Sequence, residues 1–208
     1  MHRVITIARE YASGGAVLAE QLAKRLNWRL LDKALIEEVA RKMQVSASFA
    51  EQFDEKIDPW LHRLAKESFR FGAFEGVADW DETEMLDADR VVAISRRMIE
   101  EAAAIGNCII VGRGGQCLLN KRTDTFHLFL YAPREARIRT IRERMLENEH
   151  PEALLDTMDH IRAAYISHYY GHNWQDRHLY HAMINAALGL PEVCAMVLSA
   201  VAVPITKE

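Results

Sequence analysis

Four groups of residues have the types and spacing that chemistry on an anion would need. The first is the stretch "REYASGG", residues 9 to 15, which lies between a β-branched run and a helical repeat. A glycine turn at the start of a helix presents backbone N–H groups at the positive end of the helix dipole, a cradle for phosphate. Ser13, Gly14 and Gly15 occupy that turn. Laid against the spacing GxxxxGK[ST], Arg9 falls at the first glycine and Gly15 at the lysine, so the usual cation is missing. Arg9 is the one cation near enough in sequence to replace its charge. The plainer readings are a surface arginine at a strand end and a glycine turn that simply reverses the chain.

The second group is Asp32, which ends "WRLLD". A carboxylate there could hold a ribose hydroxyl, an amine or a hydrated magnesium ion, or could cap the helix that follows. The third is Arg113 in "VGRGG", at the carboxyl end of an apolar strand, where open α/β sheets bind ligands. Its planar fork suits a phosphate, and a structural ion pair is the alternative. The fourth is the arginine-rich run "PREARIRTIRERM". Arg137 and Arg144 share one helical face while Ile138, Ile141 and Met145 form the apolar stripe. Such arginines either neutralise a transferred phosphoryl group or pair in solvent with Glu135, Glu143 and Glu147. Asp159 and Arg162, three apart, are a local ion pair or part of the same lid. His168 and His172 are four apart, but no cysteine or carboxylate completes a metal site, and Gly171 is predicted to end the helix between them.

The elements that must position these residues can be read from periodicity. Val4, Ile5 and Ile7 predict a strand, and Val17, Leu18, Leu22 and Leu26 a helix. "WRLLD" predicts a second strand and "KALIEEVARKM" its helix. Ser46 to Ile105 is almost wholly helical in pattern, with Pro59 a helix start and "DWDETEMLDADR" an acidic break. "NCIIVGRGG" and "FHLFLYAP" predict strands buried on both faces. The arginine helix opens at Pro133 and runs to about Asn148. A helix from about Glu152 to Tyr170, a buried strand in "HAMINAALG" and a closing helix over 191–202 complete the pattern. The fold expected is α/β, a five-stranded parallel sheet covered by helices.

Composition narrows the function classes. With 50% hydrophobic and 27% charged residues the chain is an ordinary globular protein, long enough for one domain over 1–208: a core of 1–44 and 106–208 and a helical insertion over 45–105. The formal net charge of -4 argues against broad nucleic-acid binding and requires any positive site to be local. Cys108, Cys117 and Cys194 lack CxxC spacing and read as core thiols in a reducing cytoplasm. No apolar run is long enough for a membrane span, so a cytoplasmic protein without membrane or nucleic-acid partners is expected, and a homodimer stays open.

Taken in order, "ITIAREYASGG", "LLDKALIEEVA", "CIIVGRGGQCLL" with "FHLFLYAPREARIRTI", and "DHIRAAYISHYYGHNWQDRHLYHAMINAALG" resemble the cytidylate kinase-like family of P-loop proteins, relatives of the nucleoside monophosphate kinases. The resemblance spans most of the chain outside the insertion. It implies a three-layer kinase fold with strand order 2-3-1-4-5, a helical acceptor region within about 45–105 and an arginine-bearing lid after strand four. It also implies that Ser13, Gly14 and Gly15 cradle the donor phosphates, that Asp32 and Arg113 face an acceptor nucleotide, and that Arg137, Arg144 and Arg162 supply lid charge. The implied reaction is transfer of the γ-phosphoryl group of ATP, with Mg²⁺, to a small acceptor such as CMP or dCMP. Against that pattern, cytidylate kinases read GSGKGT where this chain reads ASGGAV, glycine follows Arg113 where aspartate is usual, and His181 stands where aspartate is expected. A catalytically degenerate nucleotide- or metabolite-sensing module, acting through a partner or dimer interface, is the alternative from another class.

Overall fold

The computed structural model describes residues 1–32, 82–144 and 150–202, with the backbone alone for 82–90. Five parallel strands, β1 (Val4–Arg9), β2 (Arg29–Leu31), β3 (Cys108–Val111), β4 (Thr125–Tyr131) and β5 (Ala182–Asn185), form one sheet in the order β2-β3-β1-β4-β5. The order expected from the resemblance is the order observed. Helix α1 (Gly15–Leu26) follows β1, α2 (Glu82–Ile105) precedes β3, and the single turn α3 (Gly115–Leu118) follows it. Helices α4 (Arg134–Arg144), α5 (Pro151–Tyr170) and α6 (Leu190–Ala202) complete the described elements.

The core follows from the period of two along each strand. Ile5, Ile7, Ile109, Val111, Phe126, Leu128 and Leu130 face one side of the sheet, against Leu18 and Leu22 of α1 and Val193, Val197 and Val201 of α6. Ala8 and Phe129 face the other side, against Ile161, Tyr165 and Ile166 of α5, while Val4, Cys108 and Ile110 meet Ile99, Ala102 and Ala103 of α2. Both faces of the central strands are covered, as the apolar runs "CIIV" and "LFL" require. Truncating a fully buried leucine such as Leu22 to alanine costs about 2–5 kcal/mol in such a layer. The three cysteines are buried and free within these layers.

Several expectations need correction. Residues 82–90 of the acidic stretch are no break, because α2 begins at Glu82 and runs through them. Acidic side chains suit the first turn of a helix, and Glu, Met, Leu and Ala carry little penalty there. Strand β5 is an edge strand with mixed exposure rather than a buried one, with Met183 38% exposed. The helix expected over "KALIEEVARKM", the Pro59 helix start, most of the 45–105 insertion and Met145 lie outside the described residues. Among the described residues, no helix is long and apolar enough to cross a membrane.

One polar pair sits inside the sheet. Thr6 and His127 are register partners on β1 and β4, and Thr6 Oγ1 lies 2.7 Å from His127 Nδ1. The backbone N–H of His127 donates to His181 Nδ1 at 2.9 Å, and the two rings stack at 5.1 Å. Burial, reinforced by the neighbouring His181, pushes the His127 pKa from 6.5 down to about 4. The unfolded chain takes up a proton near pH 6.5 and the folded one only near pH 4, so unfolding binds protons between these values. Stability from this residue is complete above pH 6.5 and falls as pH drops through the window, by about 3 kcal/mol in all. Urea denaturation of wild type and His127→Gln from pH 7 to pH 4 should show the acid-side slope in the wild type and a much flatter one in the variant.

Candidate functional site

In this strand order the chain leaves β1 toward β2 on one side and β3 toward β4 on the other, so the crevice lies at the carboxyl ends of β1 and β3. Arg9 is the last residue of β1, Asp32 follows β2, and Gly112-Arg113-Gly114 follows β3. The sheet therefore gathers three of the predicted groups at one edge.

Arg9 does not point into bulk solvent. A Cβ built on Gly15 would fall 2.7 Å from Arg9 Cγ, and one on Gly112 would fall 2.3 Å from Arg9 Nη1. The side chain thus crosses the first residue of α1 and ends against the turn after β3. Gly15 occupies the lysine position because any side chain there would strike the stem of Arg9. The absence of the lysine and the presence of the arginine are one steric fact. Burial, and the positive charges of Arg162 and Arg113, push the Arg9 pKa down from 12.5 to about 9, while Asp32 acts in the opposite sense. The Arg162 pKa is also lowered by burial.

The loop from Glu10 to Gly14 carries its own constraints. Ser13 is buried, and its hydroxyl donates to the Glu10 carbonyl at 2.8 Å, so it closes the turn from within. Gly14 caps α1 in a left-handed conformation, with no side-chain hydrogen bond to the cap and no acidic residue in the first turn. That helix end keeps its positive dipole open to an anion. Ala12 is left-handed at φ 58°, which costs a non-glycine residue roughly 1 kcal/mol.

Helices α4 and α5 hold this loop by its backbone. Tyr11 N–H donates to Asp159 Oδ1 at 2.6 Å, and Arg162 Nη1 donates to the Arg9 carbonyl at 2.7 Å. The Arg162 guanidinium also lies 5.4 Å from the centre of the Tyr11 ring. Arg137, 7% exposed, pairs with Asp159 at 2.5 Å and with Glu10 at 3.3 Å, and donates to the Ala132 and Tyr11 carbonyls. Burial raises the Glu10 pKa, against the lowering effect of the Ala132 N–H it accepts and of Arg137. The expected partners were different: Glu135, Glu143 and Glu147 were candidates for Arg137 and Arg144. Arg137 instead takes Glu10 and Asp159, and the exposed pairs between α4 and α5 are Arg134 with Asp156 and Arg142 with Glu152.

The predicted residues therefore separate. Asp32, Arg113 and Arg162 each come within electrostatic range of Arg9 at the sheet edge. Ser13, Gly14 and Gly15 form the turn beneath Arg9. Arg137 is buried in a salt-bridge network behind the loop, and Arg144 lies exposed at the far end of α4. Asp159 and Arg162, left open as a local pair, each contact the loop. Gly171 ends α5 before His172, and among the described residues no group of three His, Cys, Asp or Glu side chains could hold a metal ion. Glu10, Tyr11 and Tyr170 were not singled out by sequence, since nothing in their spacing marks a contact made between distant strands and helices.

Residues 4–187 match the cytidylate kinase-like family, and the chain belongs to it. No curated protein matches the sequence. Among solved structures the chain is similar to an uncharacterized protein from Eubacterium ventriosum ATCC 27560, at 18% identity over 98% of this chain and 100% of that one, with TM-score 0.71. It is also similar to a gluconokinase from Sinorhizobium meliloti 1021, at 11% identity, 97% and 94% coverage and TM-score 0.54. A shikimate kinase from Acinetobacter baumannii in complex with shikimate matches at 15% identity, 97% and 94% coverage and TM-score 0.51. These likenesses define a kinase-type fold: parallel sheet, helices on both faces, and a glycine loop at the carboxyl edge.

Two substitutions test the loop. Asp159→Ala removes one of the two carboxylates on buried Arg137 and the acceptor for Tyr11 N–H, and is expected to lower stability by about 2–4 kcal/mol. Asp159→Asn, which keeps an acceptor oxygen, should recover part of that in urea denaturation. Ala12→Gly relieves the left-handed strain and should raise stability by about 0.5–1 kcal/mol in the same assay, less the entropy glycine adds to the unfolded chain.

Proposed function

We propose that the protein binds the phosphates of a nucleotide at the Glu10–Gly15 loop and transfers the γ-phosphoryl group of ATP to a small acceptor, a nucleoside monophosphate or another small molecule. The observation that carries this reading is the placement of Arg9. Its stem is seated on Gly15, its guanidinium lies at the turn after β3, and Arg162 and Arg113 crowd it with like charge. An arrangement that pushes an arginine pKa down to about 9 is unfavourable by itself and is relieved when an anion enters. Beside it, the first turn of α1 offers backbone N–H groups without a competing cap.

Phosphoryl transfer needs positioning and charge neutralisation more than a protein nucleophile. In this reading Arg9 takes the part a loop lysine would play, Ser13, Gly14 and Gly15 shape the donor-phosphate cradle, and Arg162 adds charge from α5. Asp32 and Arg113 face the acceptor side. Magnesium, when bound, would neutralise part of the donor charge, and Asp32 is the carboxylate placed at this edge to hold its water shell. Arg137 belongs to the scaffold rather than to a mobile lid, because two carboxylates and two carbonyls already engage it. That engagement also favours a second reading, a nucleotide-sensing module that binds without turnover.

In a thermal-shift titration, ATP with Mg²⁺ should raise the melting temperature of the wild type by linkage, and Arg9→Ala should abolish the shift. A coupled assay across nucleoside monophosphates, including CMP and dCMP, should then show turnover that Arg9→Ala lowers by about 10²–10³-fold. A shift without turnover for any acceptor would select the sensing module. No shift from any nucleotide would overturn both readings.

A further inference from the structure

The turn after β3 is unusual in its backbone. Gly112, Arg113 and Gly114 are all left-handed, at φ 74°, 54° and 72°. For Arg113 this conformation costs roughly 1–2 kcal/mol and persists only where the surroundings impose it. On one side the turn hangs from β1, because Gly112 N–H donates to the Ile7 carbonyl at 3.0 Å. On the other side the contact comes from the last residue of α5. Tyr170 Oη donates to the Arg113 carbonyl at 2.9 Å. Its ring lies so close to Gly114 that a Cβ there would fall 2.1 Å from the ring.

Tyr170 is itself held in place. The Arg96 guanidinium of α2 lies over its ring at 4.9 Å, and Arg96 Nη2 donates to the Tyr169 carbonyl at 2.8 Å. Gly171 then caps α5 with its N–H on the Ser167 carbonyl at 3.0 Å. Tyrosine therefore ends the helix at a fixed point, its partly buried hydroxyl donating to the Arg113 carbonyl beside the Arg96 and Tyr165 side chains.

We propose that Tyr170 is a positioning residue for Arg113: its hydroxyl fixes the Arg113 peptide in the left-handed turn so that the guanidinium is presented to a phosphate-bearing ligand at the carboxyl edge of the sheet. The inference rests on the reading of that edge as a phosphate site, and it assigns to the "YYG" end of α5 a part in anion recognition. The charge of Arg113 reaches both Arg9 and the neighbouring Tyr165. A tyrosine that merely filled space would serve equally well as phenylalanine.

The test is a double-mutant cycle read by calorimetric titration with inorganic tripolyphosphate, which reports anion recognition without any base or acceptor preference. Wild type should bind, Arg113→Ala should weaken binding about tenfold or more, and Tyr170→Phe about three- to tenfold, the worth of one hydrogen bond to the turn. The variant Arg113→Ala/Tyr170→Phe should bind no more weakly than Arg113→Ala alone, because the hydroxyl acts through the arginine. Melting temperatures should stay close for wild type and Tyr170→Phe, whose ring and packing are unchanged. Tyr170→Phe binding like wild type, or losses that multiply in the double variant, would overturn the inference and leave the phosphate site standing. No tripolyphosphate binding by the wild type would overturn the site and the inference together.

Discussion

The arrangement at the sheet edge depends on the crowding of like charge. Arg9, Arg113 and Arg162 approach from β1, the turn after β3 and helix α5; burial lowers the pKa of Arg9 and of Arg162, and the charges of Arg162 and Arg113 lower that of Arg9 further. The remaining features of this edge serve to keep these cations in place. Gly15 makes room for the Arg9 stem, and Gly112 makes room for its head.

Helix α5 opposes the repulsion by gripping backbone rather than side chains. Asp159 takes the Tyr11 N–H, Arg162 gives to the Arg9 carbonyl, and Tyr170 gives to the Arg113 carbonyl. Positions 159, 162 and 170 recur near the helical period, so one face of α5 reaches both turns. Main-chain groups are fixed by the sheet register, which makes these bonds a rigid reference between α5 and the strand ends. Ile161, Tyr165 and Ile166 anchor the same helix to the sheet through apolar contact. Packing and polar contacts thus act along one element, and a shift of α5 would be felt at both turns at once.

The strands and most helices were legible because burial imposes periods of two and 3.6 on the residues that face the core. "CIIV", "HLFL" and the α1 repeat read directly. Strand order came from the resemblance and not from periodicity. The site was legible as residue types at strand ends, where topology gathers them, and not as contacts. The path of Arg9 over Gly15 depends on the distance between β1 and β3, which no local pattern contains. Arg137 and Arg144 share a helical face as their spacing of seven implies, but Arg144 is exposed and Arg137 is buried, a difference that the spacing does not contain. Burial there follows from Glu10 and Asp159, carboxylates on other elements, which satisfy the guanidinium. The acidic start of α2 was mistaken for a break because acidic residues mark both turns and helix beginnings.

The missing lysine can now be weighed on geometry. A loop lysine carries its charge from the first turn of α1 outward, whereas Arg9 brings charge from the strand beneath and lays it across that same turn. Arg9 crosses the first residue of α1 with its stem and ends at the turn after β3, and a side chain at position 15 would meet its Cγ at under 3 Å. Restoring a lysine at 15 would therefore displace the arginine instead of adding to it. The strand-borne cation also differs in kind, because a guanidinium holds a fixed planar fork while an ammonium group is a rotating point charge.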